Sequence, residues 1–231
     1  MKIIILGSRG EIEEKAPRHI KHSGIFIDNS ILIDAGEPGY MKLHPDIVLF
    51  THLHPDHAWF IRDNKKFEYS GPVYGPENSE LIPSMKIISN SFTFRHYKII
   101  PVPVIHSLKV KSLGYIIEKD DCKVFYTGDI AWIEKKYHEL FENLDLVISD
   151  GSFISKGGMI RRDDDSGKIY GHTGIPDIIQ MFSPYVSKIV FTHFGKWFMN
   201  DVPLARKKMK DLAPENIEII IAHDRKEITI C

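Results

Sequence analysis

The sequence IVLFTHLHPDHAWF, residues 47–60, joins an apolar run to a dense group of polar side chains. The run Ile47–Phe50 predicts a buried β-strand. The polar residues that follow it are His52, His54, Asp56 and His57. Imidazole and carboxylate groups suit Zn²⁺, Mn²⁺ or Fe²⁺, and no thiolate lies near to indicate a closed structural zinc site. A coincidental polar turn is the alternative, but the strand that leads directly into the group favours a metal site.

The composition of the 231-residue chain is that of an ordinary soluble globular protein, with 43% hydrophobic and 26% charged residues. Lys and Arg number 30 against 31 Asp and Glu, so no overall positive charge attracts nucleic acid or a membrane surface. The first apolar run, Ile3–Leu6, is too short for a signal peptide or a membrane span. With only Cys122 and Cys231, and no export signal, we expect no disulfide framework and a location in the reducing cytoplasm.

Further apolar runs that end in Gly, Thr, Asp or His predict a series of β-strands. These strands are Lys2–Leu6, Gly24–Ile27, Ile31–Asp34, Ile47–Phe50, Ile99–Val104, Leu113–Ile117, Val124–Tyr126, Leu146–Ser149, Ile189–Phe191 and Ile217–Ile221. Helical periodicity between some of them predicts the helices Glu134–Glu142, Ile175–Phe182 and Val202–Leu212. Because no proline-rich or low-complexity linker interrupts the pattern, we expect residues 1–231 to form one α/β domain.

One short sequence occurs twice. VLFTH at residues 48–52 is echoed by IVFTH at residues 189–193, so two predicted strands each end in a threonine and a histidine. A chance match is the alternative for so short a repeat. Because α/β folds place their ligand sites at the carboxyl ends of strands, the echo predicts two halves that face one site.

The H-x-H-x-D-H pattern after a strand resembles the metallo-β-lactamase superfamily. The later motifs of that family follow in order along this chain, as His106 in PVIHSLKVKSLGY, Asp129 in FYTGDIAW and His193 in IVFTHFG. The resemblance covers essentially the whole chain. It implies a four-layer αββα sandwich, an α/β fold with a two-metal site along one edge.

The resemblance also implies a ligand set. One metal would be held by His52, His54 and His106, and the other by Asp56, His57 and His193, with Asp129 between them. Zn²⁺ is the first choice, with Mn²⁺ or Fe²⁺ as alternatives, and the implied reaction is hydrolysis by a hydroxide that bridges the two ions. Asp56 and Asp129 would orient the water and help to deprotonate it.

His223, in IIIAHDRKEITI, also follows a predicted strand and is an alternative last ligand, as in some lactonase-like relatives. His193 is preferred because a helix and a further strand follow it, as in ribonuclease Z. The other interpretation of His223 is a turn residue before the final strand.

The segment YGHTGIPDII, residues 170–179, resembles a histidine motif of ribonuclease Z and of a cyclic phosphodiesterase. The resemblance implies that His172 donates a proton to the leaving oxygen of a phosphoester, a role that suits imidazole at neutral pH. A helix-capping segment with an incidental histidine is the alternative. The interval between His106 and Asp129 has no room for the arm of tRNA-processing enzymes, which argues against precursor tRNA as the substrate.

The sequence therefore favours a phosphodiesterase that acts on a small or nucleotide-like ester. A carboxylic-ester, lactone or thioester hydrolase is the first alternative, and a non-catalytic metal-binding or nucleotide-binding protein is the second. The expected partner is a small-molecule phosphoester and not a membrane. Nucleic acid is not expected, although short oligonucleotides stay open, as does the choice between monomer and homodimer.

Two further groups of side chains have alternative interpretations. Arg161 and Arg162 suit phosphate oxygens, but the aspartates that follow them favour a solvated loop. The three tryptophans, Trp59, Trp132 and Trp197, lie shortly after proposed ligands. Ordinary core packing is preferred for them over a role in the wall of the pocket.

Overall fold

The structure, a computed structural model that describes all 231 residues, contains two seven-stranded sheets. The strands of the first sheet are β1 (Lys2–Gly7), β2 (Gly24–Ile27), β3 (Ile31–Ile33), β4 (Ile47–Leu49), β5 (Val73–Gly75), β6 (Lys86–Ile87) and β16 (Lys226–Thr229). Their order across the sheet is β16-β1-β2-β3-β4-β5-β6. Pairing is antiparallel from β16 to β3 and parallel from β3 to β6.

The second sheet mirrors this mixed arrangement. Its strands are β7 (Phe92–Phe94), β8 (Tyr97–Val104), β9 (Ser112–Lys119), β10 (Cys122–Tyr126), β11 (Leu146–Asp150), β14 (Lys188–Thr192) and β15 (Glu218–Ile221). They lie in the order β15-β14-β11-β10-β9-β8-β7, and β10, β11, β14 and β15 are parallel to one another. Because β10, β11 and β14 run in one direction, the residues that follow them meet at one edge of the sheet.

The remaining elements are short. They are the α-helices α1 (Trp59–Asp63), α2 (Ile175–Phe182), α3 (Lys196–Met199) and α4 (Val202–Asp211), two 3₁₀ helices (Pro38–Leu43 and Lys135–Phe141) and the hairpin of β12 (Met159–Arg162) and β13 (Ile169–His172). None of the helices has the length and apolar content that a transmembrane span requires.

The two sheets pack face to face, and helices cover both outer faces. Ile5 of β1 and Tyr115 of β9 lie in the apolar core between the sheets. Phe60 of α1 belongs to the layer over the first sheet. Phe182 of α2 packs edge-on against Phe125 of β10 in the layer over the second sheet. The predicted four-layer αββα sandwich is confirmed.

The second sheet contributes side chains to two cores. Successive residues of a strand point to opposite faces, so Val124 joins the core between the sheets while Phe125 packs under the outer helices. In β11, Val147 faces outward and Ile148 inward in the same way. Strands buried on both faces have continuous apolar sequences, which explains why these strands were predictable.

Two local predictions are wrong. The segment predicted as the helix Glu134–Glu142 forms a 3₁₀ helix over Lys135–Phe141, and no side chain caps its first turn. The aspartates after Arg161 and Arg162 favour a solvated loop, yet both arginines lie in strand β12 of the hairpin. A two-stranded hairpin has little apolar periodicity of its own, which hid it in the sequence.

The two cysteines are bonded to each other. The Cys122–Cys231 disulfide joins the start of β10 to the end of the chain across 109 positions, with the Cα atoms 6.0 Å apart. The sequence expectation of no disulfide framework needs correction to this one bond. The reason is topological: the Met1 amino group donates to the carbonyl of Ile230 at 2.9 Å, so both chain ends lie at the same place, beside β10.

Candidate metal centre

Side chains from both sheets converge beyond the carboxyl ends of β4, β10 and β14. The seven predicted ligands all lie in this cluster: His52, His54, Asp56, His57, His106, Asp129 and His193. All but His54 are buried. They form two groups that have Asp129 in common, and within each group the candidate ligand atoms lie within 4.8 Å of one another.

The first group contains three histidines and one oxygen of Asp129. The Asp129 Oδ2 atom lies 3.7 Å from His52 Nε2 and 3.6 Å from His106 Nε2. The Nδ1 atom of His54 lies 3.2 Å from His106 Nε2. Three ring nitrogens and one carboxylate oxygen therefore surround a common point.

The second group uses the other oxygen of the same carboxylate. The Asp129 Oδ1 atom lies 3.1 Å from His57 Nε2 and 3.3 Å from His193 Nε2. Asp56 completes the group, with its Oδ2 atom 2.8 Å from His193 Nε2. One carboxylate thus faces both groups, an oxygen to each, which is the geometry that the predicted bridging role of Asp129 needs.

The chain reaches this position through Gly128. Its backbone is left-handed, with φ of 60°, a conformation that residues other than glycine seldom adopt. A Cβ atom there would lie 2.9 Å from the Thr51 Cβ atom. Gly128 therefore allows the two backbone segments to approach closely.

A buried carboxylate orients the ligands of the first sheet. Asp34 accepts a hydrogen bond from His57 Nδ1 at 2.7 Å and from the backbone N–H of Thr51 at 2.8 Å. The Tyr126 hydroxyl also donates to it, at 3.2 Å. Since Nδ1 of His57 is held in this way, its Nε2 atom is the one that faces Asp129.

Two other histidines are fixed by the same principle. His106 Nδ1 lies 3.0 Å from the Gly171 carbonyl oxygen, and His193 Nδ1 lies 2.9 Å from Ser152 Oγ. Each imidazole uses one nitrogen to contact the protein and directs the other into the cluster. Such outer partners fix the ring orientation and the tautomer of metal-binding histidines.

The charges in the cluster shift the pKa values of its histidines in opposite directions. Burial, followed by the charge of His57, holds the pKa of His52 well below its usual value, and burial lowers the pKa of His54 to about 4. Burial also lowers the pKa of His57 and His193, but the carboxylates, above all Asp129, outweigh it and bring both pKa values well above the usual range. The buried carboxylates therefore demand compensating positive charge.

Four buried polar atoms in the cluster have no hydrogen-bond partner: His52 Nε2, His57 Nε2, Asp56 Oδ1 and Asp129 Oδ1. Buried polar atoms normally have partners, so a concentration of exceptions at one point indicates a missing group. A divalent cation fits, because the unpartnered atoms are nitrogen and oxygen ligands and the carboxylates supply negative charge.

His172 stands next to both groups. It ends β13, and its ring centroid lies 4.7 Å from that of His106 and 5.8 Å from that of His193. Its Nδ1 atom lies 2.6 Å from Oδ2 of Asp150, a buried carboxylate at the end of β11. Burial lowers the pKa of His172, but the charge of Asp150 outweighs it and raises the pKa above the usual value.

These residues border a cavity of about 410 Å³. Ligands from both groups form its floor, together with His172. Its walls also include the apolar side chains of Ile12, Phe153, Met159 and Trp197. The cavity is therefore large enough for a small organic group beside the cluster.

Residues 30–194 match the family described as the β-lactamase superfamily domain, which is more than half of the chain. The chain belongs to the metallo-β-lactamase superfamily. It is accordingly a metal-dependent hydrolase of that superfamily. No curated protein matches its sequence.

Solved structures share the fold at low sequence identity. The metallo-β-lactamase fold protein YhfI from Bacillus subtilis has 20% identity and a TM-score of 0.66, with 99% of both chains covered. A diphosphatase from the PhnP family has 18% identity and a TM-score of 0.69, over 99% of this chain and 97% of that one. Human tRNase Z, short form, has 16% identity and a TM-score of 0.64, with both chains covered completely.

The cluster of candidate metal ligands does not include His223. The His223 ring contacts Arg18, with its Nδ1 atom 3.0 Å from the guanidinium NH2 group, and His223 belongs to neither ligand group. Arg161 and Arg162 are exposed on β12 and do not border the cavity. Their side chains contact the hairpin itself, Met159 in one case and the carbonyl of Gly167 in the other.

The tryptophans have separate positions. Trp197 borders the cavity, and its Nε1–H donates to the Gly151 carbonyl at 3.1 Å. Trp59 packs within the layer over the first sheet, whereas Trp132 is 38% exposed. Only Trp197 thus has the position that a role in the pocket wall requires.

Sequence reasoning missed the two carboxylates that orient the histidines. Asp34 and Asp150 each end or follow a strongly apolar strand, the same signal that revealed the ligand motifs. Neither is flanked by histidine, so neither stood out as part of a motif. Their partners His57 and His172 lie 23 and 22 positions away in sequence.

Proposed function

We propose that this superfamily member is a dinuclear metal-dependent phosphodiesterase that acts on a small or nucleotide-like ester. The observation that carries the proposal is the place of His172 beside both ligand groups, with Asp150 bound to its Nδ1 atom. A proton donor next to two cation sites suits a reaction in which an oxygen leaves a phosphorus atom.

The residues divide naturally between two ions. His52, His54 and His106 would hold one of them. The other would be held by Asp56, His57 and His193, with Asp129 shared. Two divalent ions, Zn²⁺ by first choice, would supply Lewis acidity and lower the pKa of a bound water.

Asp56 would accept a hydrogen bond from the attacking water and help to deprotonate it. Its Oδ2 atom contacts His193, whereas its buried Oδ1 atom has no hydrogen-bond partner. The charge of His57 and the contact with His193 outweigh burial and lower the pKa of Asp56 to about 2. The carboxylate therefore stays ionised and accepts a hydrogen bond from the water, which it orients.

His172 would donate a proton to the leaving oxygen. Because Asp150 accepts the hydrogen bond of Nδ1, the Nε2 atom is the one available to the cavity. The charge of Asp150 outweighs burial and raises the pKa of His172, which favours the protonated imidazole. Nε2–H therefore donates to the departing oxygen as the phosphorus–oxygen bond breaks.

Other observations support a small substrate. Strands β9 and β10 are joined by a tight turn at Asp120–Asp121, so no arm protrudes between His106 and Asp129. Solved structures with this fold include one described as a diphosphatase and one described as a tRNase Z. We also propose one domain over residues 1–231 and a cytoplasmic location, where the Cys122–Cys231 bond would be open to reduction.

Hydrolysis of bis(p-nitrophenyl) phosphate by protein loaded with Zn²⁺ or Mn²⁺, beside a thioester and a lactone, tests the proposal. We expect phosphodiester turnover by the wild type. In His172→Ala, turnover should fall about 100-fold or more for a dinucleoside monophosphate, whose alkoxide leaving group needs a proton, and much less for the p-nitrophenyl ester. The matched control is His223→Ala, which removes a histidine outside the cluster and should leave turnover unchanged. Turnover of the lactone or thioester alone would contradict the phosphodiesterase assignment and favour the first alternative.

A further inference from the structure

The carboxylate of Glu11 lies at the mouth of the cavity without a partner. Glu11 borders the same cavity as Asp56, Asp129 and His193, and its side chain is exposed. It forms neither a hydrogen bond nor an ion pair with any part of the chain. A free negative charge therefore stands beside the place where a substrate enters.

The backbone around Glu11 is well fixed. The Gly10 N–H donates to the Phe194 carbonyl at 3.1 Å, which ties the segment to the residue after His193. The Arg9 guanidinium donates to the Ile12 carbonyl and, at 2.8 Å, to that of Ile20. The backbone of Glu11 is thus held between two anchored neighbours, beside the cavity that its side chain borders.

No free cation of the cavity wall offsets this charge. Apart from histidines, Lys196 is the one basic residue that borders the cavity, and its ammonium group is paired with Glu14. Arg9 and Lys15 border a neighbouring cavity together with Glu11. The Arg9 guanidinium is already bound to backbone carbonyls. The unpaired ammonium group of Lys15 borders only that neighbouring cavity. A phosphate group in the cavity beside the metal ligands would therefore meet the Glu11 carboxylate and no free cation of the wall.

The rest of the wall suits a flat, neutral group. Apolar surface is provided by Ile12, Phe153, Met159 and Trp197. The indole N–H of Trp197 already donates a hydrogen bond to the Gly151 carbonyl. A ring system can pack against such a surface, while hydroxyl groups at its edge can donate to the Glu11 carboxylate.

We infer that Glu11 is a specificity-determining residue, which selects phosphodiesters whose second group is neutral and carries hydroxyls, such as a nucleoside, over those that carry a further phosphate. The inference rests on the proposed phosphodiesterase function and narrows its substrate class. The Glu11 carboxylate would repel the negative charge of a second phosphate, so substrates that carry one would bind less well.

Two matched chromogenic esters separate the classes. Thymidine 5′-(p-nitrophenyl phosphate) and its 3′-phosphorylated form share the reacting phosphorus and the leaving group. We expect metal-loaded wild-type protein to favour the first by about tenfold or more in kcat/KM. Glu11→Gln should reduce this preference about tenfold, chiefly through a higher kcat/KM for the phosphorylated ester. Added salt should reduce the preference of the wild type as well.

Glu13→Gln is the control, because Glu13 is an exposed neighbour that does not border the cavity beside the metal ligands. It should keep the preference of the wild type. A wild type with no preference, or a preference that survives in Glu11→Gln, overturns the inference.

Binding gives a second readout that does not need turnover. Calorimetric titration of metal-loaded protein with thymidine 5′-monophosphate and thymidine 3′,5′-bisphosphate should show the same selectivity, and Glu11→Gln should remove it. Selective binding without phosphodiester turnover would contradict the proposed function but support the role of Glu11. Turnover without selectivity in either readout, or binding of neither nucleotide, would overturn the inference.

Discussion

Asp150 bonds to His172 and approaches His193 with the same carboxylate. Its Oδ2 atom lies 2.6 Å from His172 Nδ1, and its Oδ1 atom lies 3.4 Å from His193 Nδ1. The backbone N–H of Ser152 also donates to it, at 2.8 Å. One buried side chain therefore sets the positions of the proposed proton donor and of one proposed metal ligand.

Asp150→Asn should impair the proton donor more than the binding of substrate. An amide can present its N–H to Nδ1 and so favour the wrong tautomer of His172, as well as remove the charge that raises its pKa. We expect kcat to fall about 100-fold or more, with KM changed much less. Steady-state kinetics with a dinucleoside monophosphate, whose alkoxide leaving group needs the proton, measures both quantities.

The control for Asp150→Asn is Asp165→Asn, which changes an exposed carboxylate on the hairpin turn. It should leave both constants unchanged. Metal content should be measured alongside, because of the approach of Asp150 to His193. An unchanged kcat with full metal content would rule out Asp150 as the residue that positions His172.

Much of this architecture follows from the sequence, for identifiable reasons. Strands buried on both faces have continuous apolar runs, and the residues after them, such as His52, Asp129 and His193, fall where parallel strands end. The pairing of Asp150 with His172 could not be predicted, because β11 and β13 belong to different sheets and their ends meet only in the folded protein. The Cys122–Cys231 bond likewise depends on where the chain ends meet.

Asp129→Ala should bind fewer metal ions per chain than a variant that lacks any single histidine ligand, because Asp129 belongs to both groups. We expect wild-type protein to bind two divalent ions per chain and the variant to bind fewer than one. Inductively coupled plasma mass spectrometry after dialysis measures the content. His223→Ala should keep the wild-type stoichiometry, whereas retention of two ions in Asp129→Ala would refute the bridging role.

Metal removal should also lower the melting temperature. Ions that bind the folded state and not the unfolded one stabilise it, here by relieving the repulsion between Asp56 and Asp129 and by giving partners to unpartnered buried atoms. Calorimetry with and without a chelator measures the shift. The same chelator should have little effect on Asp129→Ala, and an equal shift in that variant would place the stabilising ion elsewhere.

Reduction of the Cys122–Cys231 bond should destabilise the fold without removing the metal site. The bond closes a loop that spans 109 positions. A cross-link between residues so far apart in sequence strongly restricts the conformations of the unfolded chain. We expect a loss of about 2–4 kcal/mol in the free energy of unfolding. Urea denaturation of wild-type protein with and without reductant, with Cys231→Ser as a permanently reduced control, checks this expectation. Reductant should have no effect on Cys231→Ser.

His19 should make stability sensitive to acid. Its imidazole is buried, with Nδ1 2.8 Å from the hydroxyl oxygen of Ser8 and the ring 4.9 Å from that of Phe198. Burial, followed by the positive charge of Arg206, lowers the pKa of His19 to about 4. In the unfolded chain the pKa returns to the usual value of about 6.5, so the unfolded state binds the proton more readily.

The contribution of neutral His19 to stability is therefore complete above about pH 6.5 and is lost as the pH falls towards 4. His19→Gln should reduce the dependence of the melting temperature on pH within this window, even if the substitution lowers the melting temperature at neutral pH. The exposed His96 provides the matched control, since His96→Gln should keep the wild-type slope. Equal slopes for wild type and His19→Gln would mean that buried carboxylates, and not this imidazole, govern the response to acid.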